Sequence, residues 1–287
     1  MQDKTRSLIE IHIAVVLFGL SGLFARYVGL PAVIIALGRV FFASTAMYAL
    51  FRYRGKSIRL DQGRDMAVLA AAGILLAVHW TAFFLSVQVS TVAIAVLTFS
   101  TFPLFITFLE PFIFAERIRI ADVICACVMF TGVIIIVPEF HLSNSMTKGI
   151  IWGMTCSLTY AALSLTNRKY VKKYSGRLIA FYEQGTATLV LLPALFLYKP
   201  SFTVTDISLL VLLGVLFTAG AHSMFINGMK HVRAQTAGMV SSLESVYGIA
   251  AAAIFLGEIP SFNELAGGIL ILAAALYSTL KASKAAG

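Results

Sequence analysis

From residue 8 to residue 281 the chain is a succession of apolar stretches about 20 residues long, joined by short polar connectors. A helix of about 20 apolar residues crosses the roughly 30 Å hydrocarbon layer of a bilayer. Ten such spans are predicted: 8–28, 31–52, 66–87, 90–115, 119–138, 149–169, 178–198, 207–229, 232–257 and 262–281. The polar segment PEFHLSNSMTK at 138–148 divides them five and five. Composition points the same way. Hydrophobic residues make up 59% of the chain and charged residues 12%, against about 45–50% and about 25% in soluble domains. The predicted fold class is an all-α integral membrane protein whose solvent is lipid.

The positive charges test the span count. With ten spans, one side of the membrane receives both tails and the loops after spans two, four, six and eight. Those segments hold 18 of the 22 Lys and Arg residues. The opposite side holds Arg26, Lys148 and Lys199, and Arg39 lies inside span two. Cytoplasmic loops carry the Lys/Arg excess, so both termini are expected to be cytoplasmic, in a bacterial-type inner membrane. The net charge of +9 is therefore read as a topology signal and a contact for anionic headgroups, not as a nucleic-acid patch. The basic start MQDKTRS runs directly into a full-length span, which reads as a signal-anchor and not a cleaved leader. Cys125, Cys127 and Cys156 all lie in apolar stretches and are read as small hydrophobes, with no disulfide framework and no metal site.

An internal repeat emerges at an offset of 142 residues. LSGLFARYV at 20–28 resembles ALSLTNRKYV at 162–171, Glu116 aligns with Glu258, and Ser100 with Ser242. The predicted units are residues 1–142 and 143–287. Five spans is an odd number, so the second unit enters the membrane the other way up. Inverted repeats of this kind build secondary transporters, whose sites lie near the midplane between the repeats.

The order of pieces resembles a known family. LFGLSGLFAR followed by GRVFFAS, a polar and proline-bearing fourth span ending AERIRIADV, and a second copy ending SVYGIAAAAIFLGE and ELAGGILILAAALY are similar to the EamA unit of the drug/metabolite transporter superfamily. The resemblance covers nearly the whole chain. It implies ten transmembrane helices as two inverted five-helix EamA repeats, forming an exporter of small metabolites, possibly of the amino-acid exporter group. It also implies a central cavity lined chiefly by spans one, three, four, six, eight and nine. Two positions depart from the family pattern: Phe18-Gly19 where a Trp-Gly pair is common, and Glu244-Ser245 where Glu-Pro is common.

Polar residues at membrane depth are candidates for function, since a charge at the bilayer centre costs about 2.5–3.5 kcal/mol on insertion scales. Glu244 lies deep in span nine, with Ser241 and Gly248 one turn away, Ser245 next to it and Tyr247 at i+3. It reads as a ligand for a substrate amine or as a proton-titrating group, because a buried unpaired carboxylate is able to hold a proton near neutral pH. Thr98, Ser100, Thr101 and Pro103 form the equivalent patch in span four, and the proline should free a carbonyl near Phe99. Arg39 is read as a substrate-carboxylate ligand, a partner for Glu244 or a snorkelling anchor. His79, Trp80 and Tyr160 are further substrate-facing candidates. Glu183 and Gln184 are expected to pair with the basic loop at 168–177, Glu110 to sit at the interface, and Glu116 to pair with Arg119. His222 and Asn227 are placed toward the cytoplasm. Gly149-x-x-x-Gly153 is a helix-packing motif.

No Walker motif, H-E-x-x-H or G-x-S-x-G is present. The expected activity is secondary transport by alternating access, with no enzymatic step, cofactor or metal. The partners are a small-molecule substrate and the lipid bilayer, and a monomer suffices because both repeats lie in one chain. An amino acid is the expected cargo. A nucleoside, a sugar derivative or a cationic drug is the alternative, and a non-transporting membrane protein is a third reading.

Overall fold

The computed structural model describes residues 2–114, 120–136, 141–229, 240–241 and 243–285. Among the described residues there are helices and no strands. The helices are α1 (Gln2–Ser21), α2 (Phe24–Tyr27), α3 (Ala32–Tyr53), α4 (Gly63–Val89), α5 (Val92–Phe99), α6 (Phe102–Phe114), α7 (Ile120–Ile136) and α8 (Ser145–Tyr170). They continue as α9 (Gly176–Leu191), α10 (Ala194–Tyr198), α11 (Val204–Gly214), a π-helical turn (Val215–Gly220), α12 (Ala221–Gly228), α13 (Leu243–Leu256) and α14 (Phe262–Ala285).

Seven helical stretches are long and apolar enough to cross a membrane, and they fall on predicted spans one to four and six to eight. Three shorter apolar helices, Val123–Ile136, Leu243–Leu256 and Phe262–Tyr277, fall in the fifth, ninth and tenth. Residues 232–239 of the ninth span lie outside the described residues, as do Glu116 and Arg119 with their expected pairing. Large apolar side chains such as Leu189, Phe112 and Ile254 stand exposed on the bundle surface, where lipid is their natural contact.

Local chemistry sets the helix ends. Thr91, Asn144 and Ser175 cap α5, α8 and α9 with side-chain oxygens, and Thr203 with Asp206 closes a reciprocal capping box on α11. The fourth span breaks at Ser100-Thr101. Pro103 has no N–H to return to the Phe99 carbonyl, so the ladder cannot run through this point. Pro193 breaks the seventh span in the same way between α9 and α10.

Packing follows the repeat. α4 lies on α8 as α12 lies on α1; α5 lies on α8 as α13 lies on α1; α3 crosses α9, and α7 crosses α14. The match extends to single contacts. A Cβ on Gly73 of α4 would stand 2.8 Å from the Glu183 carbonyl oxygen and 2.5 Å from Thr186 Cβ on α9. A Cβ on Gly214 of α11 would stand 2.9 Å from the Arg39 carbonyl oxygen and 2.5 Å from Phe42 Cβ on α3. Glycine at each crossing lets the backbones approach, and the two crossings share one register. Arg39 and Glu183 therefore occupy equivalent places in the two halves.

The Gly149-x-x-x-Gly153 motif seats α8 on the polar edges of α4 and α5. A Cβ on Gly153 would meet Thr98 Oγ1 at 1.8 Å and Thr98 Cβ at 2.8 Å, whereas one on Gly185 would meet nothing within 4 Å. Thr98 cannot give way, because its hydroxyl donates to the Ile94 carbonyl at 2.6 Å. Gly153→Ala should lower the thermal midpoint of the detergent-solubilised protein, by overpacking worth about 1–3 kcal/mol. Gly185→Ala, measured alongside, should leave the midpoint level or raise it. Equal midpoints for Gly153→Ala and wild type would refute this reading of the crossing.

Candidate functional site

A small cavity of about 30 Å³ lies between the helices. It is lined by Phe18 of α1, His79 and Trp80 of α4, Phe99 of α5, Tyr160 of α8, His222 and Phe225 of α12, and Glu244 of α13, among others. These are predicted spans one, three, four, six, eight and nine, the set the family resemblance implies. One water needs about 10–15 Å³ measured this way, so in this conformation the space is too small for a metabolite. A larger groove of about 720 Å³ opens elsewhere, between α1, α3, the π turn and the start of α9, with Arg54, Lys56, Arg177 and Asn227 on its walls. That groove contains none of the predicted substrate-facing side chains, so the central cavity is the candidate site.

Glu244 lies in the first turn of α13 and is 9% exposed. It makes no hydrogen bond or ion pair within 4 Å to any described residue, and Arg39 is its Coulombic partner across the interior. Arg39 is fully buried and does not line the cavity. Its guanidinium carbon sits 3.3 Å from the centre of the Trp80 ring, which does line it. A desolvated cation–π contact of this kind contributes about 2 kcal/mol or more. Arg39 Nη1 donates to Ser21 Oγ and Nη2 to the Phe217 carbonyl, both at 3.4 Å. Phe217 lies in the π turn, where the shifted ladder redirects carbonyls, a frequent feature of functional sites. Arg39 is thus held inside the protein by three groups and does not snorkel.

His79 Nδ1–H donates to the Cys156 carbonyl at 3.0 Å, which fixes the tautomer of the neutral ring. Its ring packs 5.4 Å from Tyr160 and 4.5 Å from Trp80. Glu244, His79, Trp80 and Tyr160, four of the predicted substrate-facing residues, therefore share one cavity.

The remaining predicted residues are engaged in packing. Thr98 Oγ1 bonds to the carbonyls of Ile94 and Ala95. Thr101 Oγ1 bonds to the Thr98 carbonyl at 2.7 Å and to Ser157 Oγ at 3.0 Å. Ser245 Oγ donates to the Val96 carbonyl at 2.8 Å and also meets Ser100, tying α13 to α5. Ser241 is buried at the α13 end, and Tyr247 packs half-buried in the apolar cluster between α1 and α12. The hydroxyls of Thr98, Thr101 and Ser245 are thus taken up by backbone carbonyls and by neighbouring helices.

Glu183 departs from expectation. It is fully buried, and its Oε2 lies 3.6 Å from His222 Nε2. Position 183 is two turns into α9 and faces α12, not the connector. The basic loop finds other acids: Lys173 Nζ reaches Asp65 at 2.6 Å and Asp61 at 3.7 Å, and Arg168 pairs with Glu110. His222, expected toward the cytoplasm, reaches the cavity. The repeat comes close to pairing these residues, since His222 stands 143 residues after His79 and Glu183 stands 144 after Arg39, one and two beyond the offset of 142. Among the cysteines, Cys125 and Cys156 are buried, whereas Cys127 is exposed on α7 because alternate residues of a helix cannot share a face.

The EamA-like transporter family matches residues 6–137 and again residues 147–280. The chain belongs to this family. It is a multi-pass membrane protein of a transporter family, and its relatives carry transporter names, not enzyme names. It is 23% identical over 281 residues to "Uncharacterized transporter YxxF" of Bacillus subtilis, covering 95% of this chain and 89% of that one. It is 24% identical over 265 residues to the "S-adenosylmethionine uptake transporter" of Rickettsia bellii, covering 91% and 89%. It is 24% identical over 248 residues to the "Pseudopaline exporter CntI" of Pseudomonas aeruginosa, covering 86% of each. A solved crystal structure superposes with a TM-score of 0.69 over 99% of both chains at 18% identity, a likeness of fold.

The Arg39–Glu244 relationship is open to test by stability. Removing one member of a buried charge pair costs about 3–5 kcal/mol, because the other is left uncompensated. Arg39→Met should lower the thermal midpoint clearly, and adding Glu244→Gln should recover part of the loss, a coupling of about 0.5–3 kcal/mol. Strict additivity of the two changes would show that the charges do not interact.

Proposed function

We propose that the chain is a secondary carrier of small metabolites, with an amino acid as the cargo its site suits best, working by alternating access around the Glu244 cavity. In this reading the three shorter apolar helices also span the membrane, giving ten spans in two inverted units of residues 1–142 and 143–287. Both termini then face the cytoplasm, following the Lys/Arg distribution. The single observation that carries the proposal is a buried Glu244, without a direct side-chain partner among the described residues, facing a small cavity together with His79, Trp80 and Tyr160. A carboxylate there offers an acceptor to an ammonium group, and the aromatic walls offer flat apolar surface to a side chain. The cavity's small size supports the alternating mechanism, because cargo enters only if the helices around it part on one side.

Two relatives are named for different cargoes and opposite directions, one for uptake and one for export. Family membership therefore leaves direction open, and export rests on the resemblance of the sequence motifs. A cationic metabolite other than an amino acid is the second reading, favoured by the same unpaired carboxylate.

Reconstituted in proteoliposomes, the protein should give saturable flux of at least one amino acid from a panel of radiolabelled compounds. Glu244→Gln removes a charge-assisted hydrogen bond worth about 1.5–3 kcal/mol, so half-saturation should rise about 10- to 100-fold. Absence of amino-acid flux, or unchanged kinetics in Glu244→Gln, would refute the assignment.

A further inference from the structure

Among the described residues, Glu183 and Glu244 are buried carboxylates with no side-chain hydrogen bond, unlike Asp65, Asp206 and Glu264, which hydrogen bonds hold at helix starts, and Arg39 is the buried guanidinium. Arg39 carries a permanent cation. Two carboxylates and one guanidinium leave one uncompensated negative charge in a medium where such a charge is very costly. Glu244 has Arg39 as its Coulombic partner. Glu183 has His222, at 3.6 Å, and neither carboxylate oxygen accepts a hydrogen bond from any described residue. His222 Nε2 likewise has no hydrogen-bond partner among the described residues. A single proton, on the imidazole or on the carboxylate, makes this set of buried charges neutral and turns the 3.6 Å approach into a hydrogen bond on modest tightening.

Placement gives that proton a route. The His222 ring forms part of the cavity wall beside Phe18 and Glu244, whereas Glu183 lies beyond it on α9. The titratable groups that share the cavity with His222 are His79 on α4, Tyr160 on α8 and Glu244 on α13, and α3, which carries Arg39, packs on α9, which carries Glu183. α1 contributes the apolar edge of Phe18, whose ring centre is 6.4 Å from that of His222. Symmetry sharpens the contrast. Arg39 and Glu183 hold equivalent crossings, with Gly214 and Gly73 packed on their carbonyls. One half of the protein therefore carries a fixed cation at this position and the other carries an acid.

We infer that Glu183 and His222 form a buried proton-binding site, separate from Glu244, that holds one exchangeable proton and gives it up through the central cavity. The inference deepens the carrier reading and rests on it. The ion that would drive or accompany transport is a proton taken from water on one side and released to water on the other, with no other bond made or broken.

The test reads protons, not flux, so the two readings fail separately. Purified protein is titrated from about pH 5 to about pH 8, where imidazole chemistry operates, with proton uptake and the infrared carboxyl band both recorded. Wild type should take up one proton that Glu183→Gln does not. His222→Gln should retain that proton on Glu183 itself, visible as a protonated-carboxyl C=O band absent from Glu183→Gln. Uptake unchanged in a well-folded, monodisperse Glu183→Gln overturns the inference, as does uptake lost only in Glu244→Gln. If Glu183→Gln fails to fold, His222→Gln still decides, because absence of the carboxyl band there also overturns it. Intact titration without flux of any cargo would count against the carrier reading alone.

Discussion

Charge inside an apolar bundle is the constraint on which the rest of this structure depends. Lipid offers no solvation to a guanidinium or a carboxylate, so each must be answered by protein groups. Arg39 meets this condition with the Trp80 face, the Ser21 hydroxyl and a carbonyl supplied by the π turn at Val215–Gly220. That requirement accounts for an otherwise unfavourable stretch of π-helix in the middle of the eighth span. It also fixes Trp80, which in turn forms one wall of the central cavity. The ion-holding and cavity-forming roles of this region are therefore the same set of contacts seen from two sides.

Around these charges the bundle is drawn together by small residues. Gly73, Gly153 and Gly214 sit at helix crossings where a methyl group would strike backbone or a fixed hydroxyl. In lipid the hydrophobic effect does not drive helices together, so close packing and interhelical hydrogen bonds carry the association. Ser245 with Val96, and Thr101 with Ser157, are bonds of that kind. The polar residues of spans four and nine thereby fasten the fourth span to α8 and α13, whereas the Glu244 side chain makes no hydrogen bond to a described residue.

Hydropathy made the helical stretches readable because each apolar window answers a single demand, the thickness of the bilayer. The Pro103 break was readable for a similar reason, since a missing N–H acts locally. Ser241, Ser245, Thr98 and Thr101 were harder to assign, because helical spacing tells which face a hydroxyl occupies but not whether a carbonyl already holds it. Glu183 was assigned to the basic loop by nearness in sequence, although two turns of helix carried it inward to His222. The repeat itself held the better guide. Gly73 and Gly214 show Arg39 and Glu183 to be counterparts, although they stand 144 residues apart, two more than the 142-residue offset of the repeat.

In the proposed transport cycle the Glu244 cavity opens alternately to the two faces of the membrane. Side-specific labelling tests it most directly. Tyr160→Cys, in a background where Cys125, Cys127 and Cys156 are replaced, places one thiol on the cavity wall. In sealed vesicles, a membrane-impermeant maleimide should reach this thiol from either face when applied to that face alone. Reaction from one face only, or from neither, would contradict alternating access at this site.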